Sequence, residues 1–437
     1  MFTRPNTSGT AWQAVAYFIL VAGVVSLLAG LGGAGLAWFL HESVHLLYGT
    51  RSETLPEITA HTTPRQRFLV LAAAGVAMAA LWWAIRRWGP HPPNPEQAAA
   101  GASMSPGWTI AEALIEVGNV GAGASIGRES APREVGAMVA DRISAWTRLH
   151  PDERSVLIAC AAGAGLAATY NVPVAGAIFG IETVLGISWL RRTPFGHLAI
   201  ILPVALGVSY GAVFAGHLIV ARKPLYQVDY PTGGSLLSLL AVAAVLGLGL
   251  GPLGHFLGRL FSLATQRSPR GNRLLLLMPL AYLALAGLVA WQPAVMGNGK
   301  VLAQGAFDQQ FNNPSLLLLI VLKPVATTLT MGAGARGGRI TPSFSTGAAA
   351  GMLTAIFWSR FFPLSLEGAT LTGGGVMLAT ATGSPLAAFS LAMEMTAAPW
   401  RMALPLGLAI FLGWGITRLI ERAERTRNVL PDAPTIE

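Results

Sequence analysis

Cysteine and charge are scarce in this 437-residue sequence: it has a single Cys and only 11% Asp, Glu, Lys and Arg. The lone Cys160 rules out an intramolecular disulfide framework. It lies in an Ala/Gly-rich stretch and reads as a small packing residue. Scarce charge, with 53% hydrophobic residues and a mean hydropathy of +0.55, excludes an ordinary soluble enzyme. What fills the chain instead is long apolar runs, at about 11–40, 66–86, 155–190, 195–222, 236–262, 273–292, 315–332, 345–363, 367–396 and 402–420. The reading is an all-α polytopic membrane protein. The first run is too long for the core of a cleavable signal peptide and lacks a clear cleavage site. A formal charge of +9 raises the question of nucleic acid. The basic residues sit at the ends of apolar runs, as in Arg86-Arg87, Arg191-Arg192 and Arg418 to Arg427, so they read as interfacial anchors and no nucleic-acid partner is expected.

Helix breakers are abundant, with 51 Gly and 28 Pro, many of them inside the apolar runs. Such interruption points to re-entrant and partial helices rather than an up-and-down bundle. The segment 87–108, with Pro90, Pro92, Pro93 and Pro95, cannot be one helix. A second polar interruption spans 293–314. The expected organisation is one integral membrane domain over 1–430, with approximate repeats at 12–230 and 235–422. A polar tail at 423–437 and no C-terminal regulatory domain complete it. The halves share two features. Each has a Gly-rich break followed by Pro, at Gly127–Pro132 and Gly337–Pro342. Each has a late acidic residue, Glu182 or Glu394, about nine residues after Pro173 or Pro385. This parallel fits an inverted repeat with a site at the repeat interface.

Within the first break, Gly127-Arg128-Glu129-Ser130-Ala131-Pro132 sets a carboxylate among apolar helices. An ionisable residue there is a functional-site hypothesis by default. A broken helix frees backbone N–H groups that bind anions. Ionised, Glu129 competes for those groups; protonated, it yields to an anion. Glu182 and Glu394 read first as acceptors for buried backbone or hydroxyl groups. A rival class comes from His41-Glu42-Ser43-Val44-His45, a formal match to the helical zinc-protease signature, which would make the chain an intramembrane metalloprotease. A catalytic zinc needs a third protein ligand, and no convincing segment supplies one, so no metal or other cofactor is expected.

Five segments in register resemble the CLC family of chloride channels and chloride/proton antiporters. Gly127–Pro132 resembles the family's GREGP. Gly338-Arg339-Ile340-Thr341-Pro342 resembles its GxFxP, with Ile340 in place of Phe. Val321–Thr330 is similar to the helix before that motif. Ala161–Gly176 resembles AAGLAAAFNAPLAG, and Ser384-Pro385-Leu386 with Glu394-Met395-Thr396 resembles APLTG…LEMT. The resemblance implies a CLC-like inverted repeat of tilted, partly re-entrant helices. It also implies a homodimer with one anion pathway per subunit, chloride or a similar anion as substrate, and protons as the coupled ion of the antiporter members. By position, Glu129 is the gating glutamate. Gly127, Arg128, Ser130, Gly338, Arg339, Ile340 and Thr341 form the anion-binding motifs.

Three departures follow from the same comparison of motifs. The family's anion-binding Ser becomes Pro90. Its C-terminal pore Tyr falls near Thr426, where no Tyr exists. Its internal proton-transfer glutamate falls on Thr183, one residue after Glu182. The expected function is therefore anion transport through a pore gated by Glu129, as a channel or a loosely coupled transporter, with chloride/proton antiport as the alternative. The expected location is a bilayer, the bacterial inner membrane. Because the two pore hydroxyls are missing, Arg339, or else Arg336, is expected to supply positive potential for the anion.

Overall fold

The structure is a computed structural model, which describes residues 11–231 and 234–429. Among these residues there is no β-strand, and seven helices are long and apolar enough to cross a membrane. They include Ala11–Tyr48, Pro64–Trp88, Phe195–Gly216, Leu236–Gln266, Arg273–Trp291 and Asn313–Gly332, with a last one that runs through Ala403–Val429. Large apolar side chains such as Leu20, Leu237 and Phe411 are exposed on them, which water would penalise and a bilayer would not.

Shorter helices fill the interior: Pro106–Gly121, Ser130–Thr147, Pro151–Tyr170, Pro173–Phe179, Ile340–Trp358, Leu366–Thr382 and Pro385–Met395. Proline opens several of them at the first turn, where its missing N–H costs nothing. Small residues let their backbones touch. A methyl on Gly347 would stand 2.3 Å from the Gly373 carbonyl oxygen, and one on Gly351 2.4 Å from that of Ala369. Apolar burial gives little drive within lipid, so close backbone packing of this kind is what joins helices there.

The apolar run 155–190 is not one span. Asn171 takes the left-handed conformation (φ 58°), ends Pro151–Tyr170, and lets Pro173 start again. The next helix loosens into a π-helical turn over Gly180–Leu185, which carries Glu182. Two further differences from expectation are local. The interruption at 293–314 contains the helix Lys300–Phe307, and the last helix continues through Val429 into the stretch read as polar tail. Residues 430–437 lie outside the described residues.

Glu182 and Glu394 cap each other's segments. Glu182 accepts from the backbone N–H groups of Leu386 (3.3 Å) and Ala387 (2.7 Å), at the start of Pro385–Met395. Glu394, at the end of that helix, accepts from Val174 (3.1 Å) and Ala175 (2.7 Å), at the start of Pro173–Phe179. Two Pro-started helices thereby exchange carboxylates for free N–H groups. Glu394→Ala leaves two N–H groups without an acceptor and is expected to destabilise the fold by about 2–4 kcal/mol. Thermal unfolding of the purified protein in detergent checks this; an unchanged midpoint would show that water replaces the carboxylate at no cost.

Candidate functional site: a carboxylate between two cavities

The two Gly-rich breaks, 211 residues apart in sequence (338 − 127), are hydrogen-bonded to each other. Gly127 N–H donates to Gly338 O and Gly338 N–H to Gly127 O, both at 2.8 Å. Their N–H groups are thus committed. These two glycines of the motifs shape a cradle around Glu129. A methyl on Gly127 would lie 1.9 Å, and one on Gly338 1.7 Å, from Glu129 Oε2. Only residues without a Cβ leave room for the carboxylate.

Glu129, 1% exposed, turns back into that cradle. Its Oε1 accepts from Thr341 N–H (2.9 Å), Thr341 Oγ1 (2.5 Å) and Tyr170 OH (3.4 Å). Thr341 stands in the first turn of Ile340–Trp358, so the carboxylate accepts from a helix N-terminus, a position that suits negative charge. Glu129 Oε2 has no hydrogen-bond partner among the described residues.

One cavity reaches Glu129 and another its neighbour Arg128. One, of about 610 Å³, is lined by Glu129, Ser130, Arg133, Glu182, Thr183, Arg339 and Ser384, with Glu96 at its edge. The other, of about 840 Å³, is lined by His41, Glu53, Arg128, Tyr170, Lys223 and Lys300. The helix Pro64–Trp88 separates the loop bearing Glu53 from the segment bearing Glu96. At about 1.5 Å per residue it places them at opposite ends of a membrane-length span. The adjacent residues Arg128 and Glu129 therefore divide two vestibules. In the second, burial pushes the Glu53 acid up, but the charges of Lys300, Arg128 and His41 outweigh it and hold Glu53 down at about 2. It is a fixed anion paired with Lys300 at 3.3 Å.

The expected site residues take distinct places. Arg128 does not pair with Glu129; it is buried with its guanidinium 5.1 Å from the Tyr170 ring centre, and its Nε and Nη1 lack hydrogen-bond partners among the described residues. Arg339 lines the first cavity while donating to Ser262 Oγ (3.0 Å) and Gly258 O (3.3 Å). Arg336 is paired with Glu112 and with Glu134 (3.1 Å) and does not line the cavity that holds Glu129. Thr183 returns its hydroxyl to Phe179 O at 2.7 Å. Pro90 is exposed and does not line the cavity that holds Glu129. His41 Nε2 stands 4.0 Å from Glu53 Oε2. No group of three or more His, Cys, Asp or Glu gathers to hold a metal among the described residues.

Sequence reasoning missed Tyr170 and Tyr226. Tyr170 bonds Glu129. Tyr226, fully buried, stacks on Phe344 at 5.3 Å. Tyr170 directly precedes Asn171-Val172-Pro173 in the sequence, and its place beside Glu129 is decided by the fold.

A family model described as voltage gated chloride channel matches residues 75–418. A Citrobacter koseri protein named voltage-gated ClC-type chloride channel ClcB is 29% identical over 397 residues, covering 86% of this chain and 90% of the relative. Its Escherichia coli O9:H4 namesake is 30% identical, with the same coverage. Among solved structures, a slow cyanobacterial Cl⁻/H⁺ antiporter superposes with a TM-score of 0.79 at 21% identity, covering 94% of this chain and 98% of that one. A CLC-type fluoride/proton antiporter superposes at 0.70 with 22% identity, with the same coverage.

Gly127 has no left-handed backbone requirement, so Gly127→Ala is expected to fold and push the flexible Glu129 side chain out of its cradle. Anion efflux from liposomes at neutral pH should then rise. Efflux equal to the parent protein would mean that the carboxylate finds a second seat of equal blocking effect.

Proposed function

Since the chain belongs to the voltage-gated chloride channel (CLC) family, we propose that it carries chloride or a similar small anion across a bilayer, past a gate formed by Glu129. One observation carries this reading: a buried carboxylate occupies a helix N-terminus between two opposed cavities. Ionised, Glu129 receives charge-assisted bonds from the Thr341 N–H and hydroxyl, worth about 1.5–3 kcal/mol each; as a neutral acid it receives about 0.5–1.5 kcal/mol each. Protonation thus weakens its hold on the donors that an anion wants. The freed carboxyl swings away, and the anion takes the Thr341 N–H and hydroxyl. Arg339 and Arg133 give the first cavity its positive potential, and Arg128 does the same for the second.

The reading is transport rather than catalysis, by a channel or a loosely coupled transporter, because Thr183 holds no titratable group at the family's internal proton position. Proton antiport is the second reading, and buried carboxylates behind Glu129 favour it. Family resemblance adds a homodimer, with each subunit keeping its own pathway, and the inner membrane of a bacterium.

Glu129→Gln copies the neutral acid. In liposomes with a chloride gradient it is expected to raise chloride efflux at neutral pH and to flatten the rise of efflux on acidification that is expected of the parent protein. Unchanged pH dependence would remove Glu129 from the gate.

A further inference from the structure

Away from the gate, a cavity of about 770 Å³ opens between the six-residue helix Ile187–Arg192 and the end of the last helix, Ala403–Val429. Five arginines line it: Arg191 and Arg192 from the short helix, Arg418, Arg422 and Arg425 from the last one. Among the described residues that line it, the one acid is Glu421, which already bonds Arg418 at 3.0 Å. Arg191, Arg192 and Arg425 have no ion pair or side-chain hydrogen bond among the described residues. Like charges gathered in a concave site repel one another, and a bound anion relieves that repulsion. The guanidinium fork matches phosphate oxygens in particular.

The cavity lies at the end of the molecule that the first cavity serves. Ile187–Arg192 follows the π-helical turn that carries Glu182 and Thr183, two residues of the first cavity's wall. The last helix is tied through Glu424 to Arg259 (2.5 Å) on Leu236–Gln266, whose Ser262, Thr265 and Gln266 line the first cavity. Arginines crowd this end: Arg86 and Arg87 lie in the last turn of Pro64–Trp88, and Arg267, Arg270 and Arg273 follow Gln266. By the positive-inside rule such an end faces the cytoplasm, where the membrane surface is negative.

The last helix shows what kind of anion fits. Leu404, Phe411, Arg418 and Arg425 recur every seven residues and share one face. Towards the middle of the span that face is apolar, with Leu404 61% and Phe411 70% exposed. Towards its end it is cationic. Exposed Leu419 and Trp414, whose ring centre lies 4.9 Å from the Arg418 guanidinium, give the cavity an apolar part where the two regions join. Tryptophan favours that boundary between hydrocarbon and headgroups. A molecule with acyl chains beside an anionic head matches both regions, whereas a soluble anion matches only one.

We infer that this cavity binds the phosphate of an anionic phospholipid of the cytoplasmic leaflet. Arg191, Arg192 and Arg425 are its charge partners, and the acyl chains lie along Phe411 and Leu404. The headgroup bridges two helix ends that no ion pair joins among the described residues. The site is separate from Glu129 and does not depend on the gate reading.

Native mass spectrometry of the purified protein in neutral detergent tests this, with phosphatidylglycerol and phosphatidylcholine of the same acyl chains as probes. The parent protein is expected to hold phosphatidylglycerol at least about tenfold more tightly. Arg191→Gln/Arg192→Gln/Arg425→Gln should lose that preference. Arg65→Gln/Arg222→Gln/Arg360→Gln removes three exposed arginines outside the cavity and should keep it. No preference in the parent overturns the site. So does an equal loss in both triple variants, which makes the attraction a property of net charge alone. Glycerol phosphate, which carries the phosphate without the chains, should bind far more weakly. Binding as tight as that of the lipid assigns the cavity to a soluble phosphate and overturns the lipid reading. Should the first triple variant fail to purify as a monodisperse species, Arg425→Gln alone is measured. A weakening of about fivefold supports the site, and unchanged affinity overturns it.

Discussion

The short antiparallel bridge between Gly127 and Gly338 is the constraint on which the rest of the site depends. It fuses two helix breaks from distant parts of the chain, so the donors of one break face the carboxylate of the other. Both positions must lack a Cβ, because the Glu129 carboxylate fills the space where one would stand. Neither break alone makes a site. Ile340–Trp358 supplies an N-terminus with nothing to fill it, and Glu129 supplies a charge that burial alone would not tolerate.

Other buried polar groups hold this bridge in place. Lys323, fully buried, donates all three of its hydrogens: to Ser125 Oγ (2.8 Å), Val295 O (3.0 Å) and Gly297 O (2.7 Å). It ties the turn before Gly127 to the turn after Arg273–Trp291, and Gly297 N–H adds a bond to Gly123 O at 3.0 Å. The exchange of caps between Glu182 and Glu394 does the same for the other wall of the first cavity. A charge buried at membrane depth is tolerated where every hydrogen-bonding atom is used. Lys323, Glu182 and Glu394 meet that condition. Arg128 and Glu129 do not, and they are the residues that the two cavities reach.

The same economy explains how a chain only 21% identical to a solved antiporter keeps its fold with a TM-score of 0.79. Backbone-to-backbone packing needs small residues at a few positions, and most other positions need only be apolar. Polar identity matters where N–H groups are left over, at Ala175, Ala387, Ala131 and Thr341 in the first turns of four helices. There the partners are Glu394, Glu182, Glu116 and Glu129.

Much was legible in the sequence. Scarce charge and long apolar runs defined an all-helical membrane chain, since apolar surface of that extent has no other stable setting. Gly and Pro marked the helix breaks, because backbone geometry is a local property. Glu129 stood out because an ionisable group among apolar residues is costly wherever it lies. Glu182 and Glu394 read correctly as acceptors for buried backbone groups, though not as each other's caps. The tertiary structure alone decided which groups pair across sequence. It spent the N–H groups of Gly127 and Gly338 on each other, gave Arg336 to Glu112 and Glu134, and brought Tyr170 to Glu129. Partner choice depends on distances between helices, which no local pattern encodes. A donor becomes available to an anion only after every nearer acceptor has been placed.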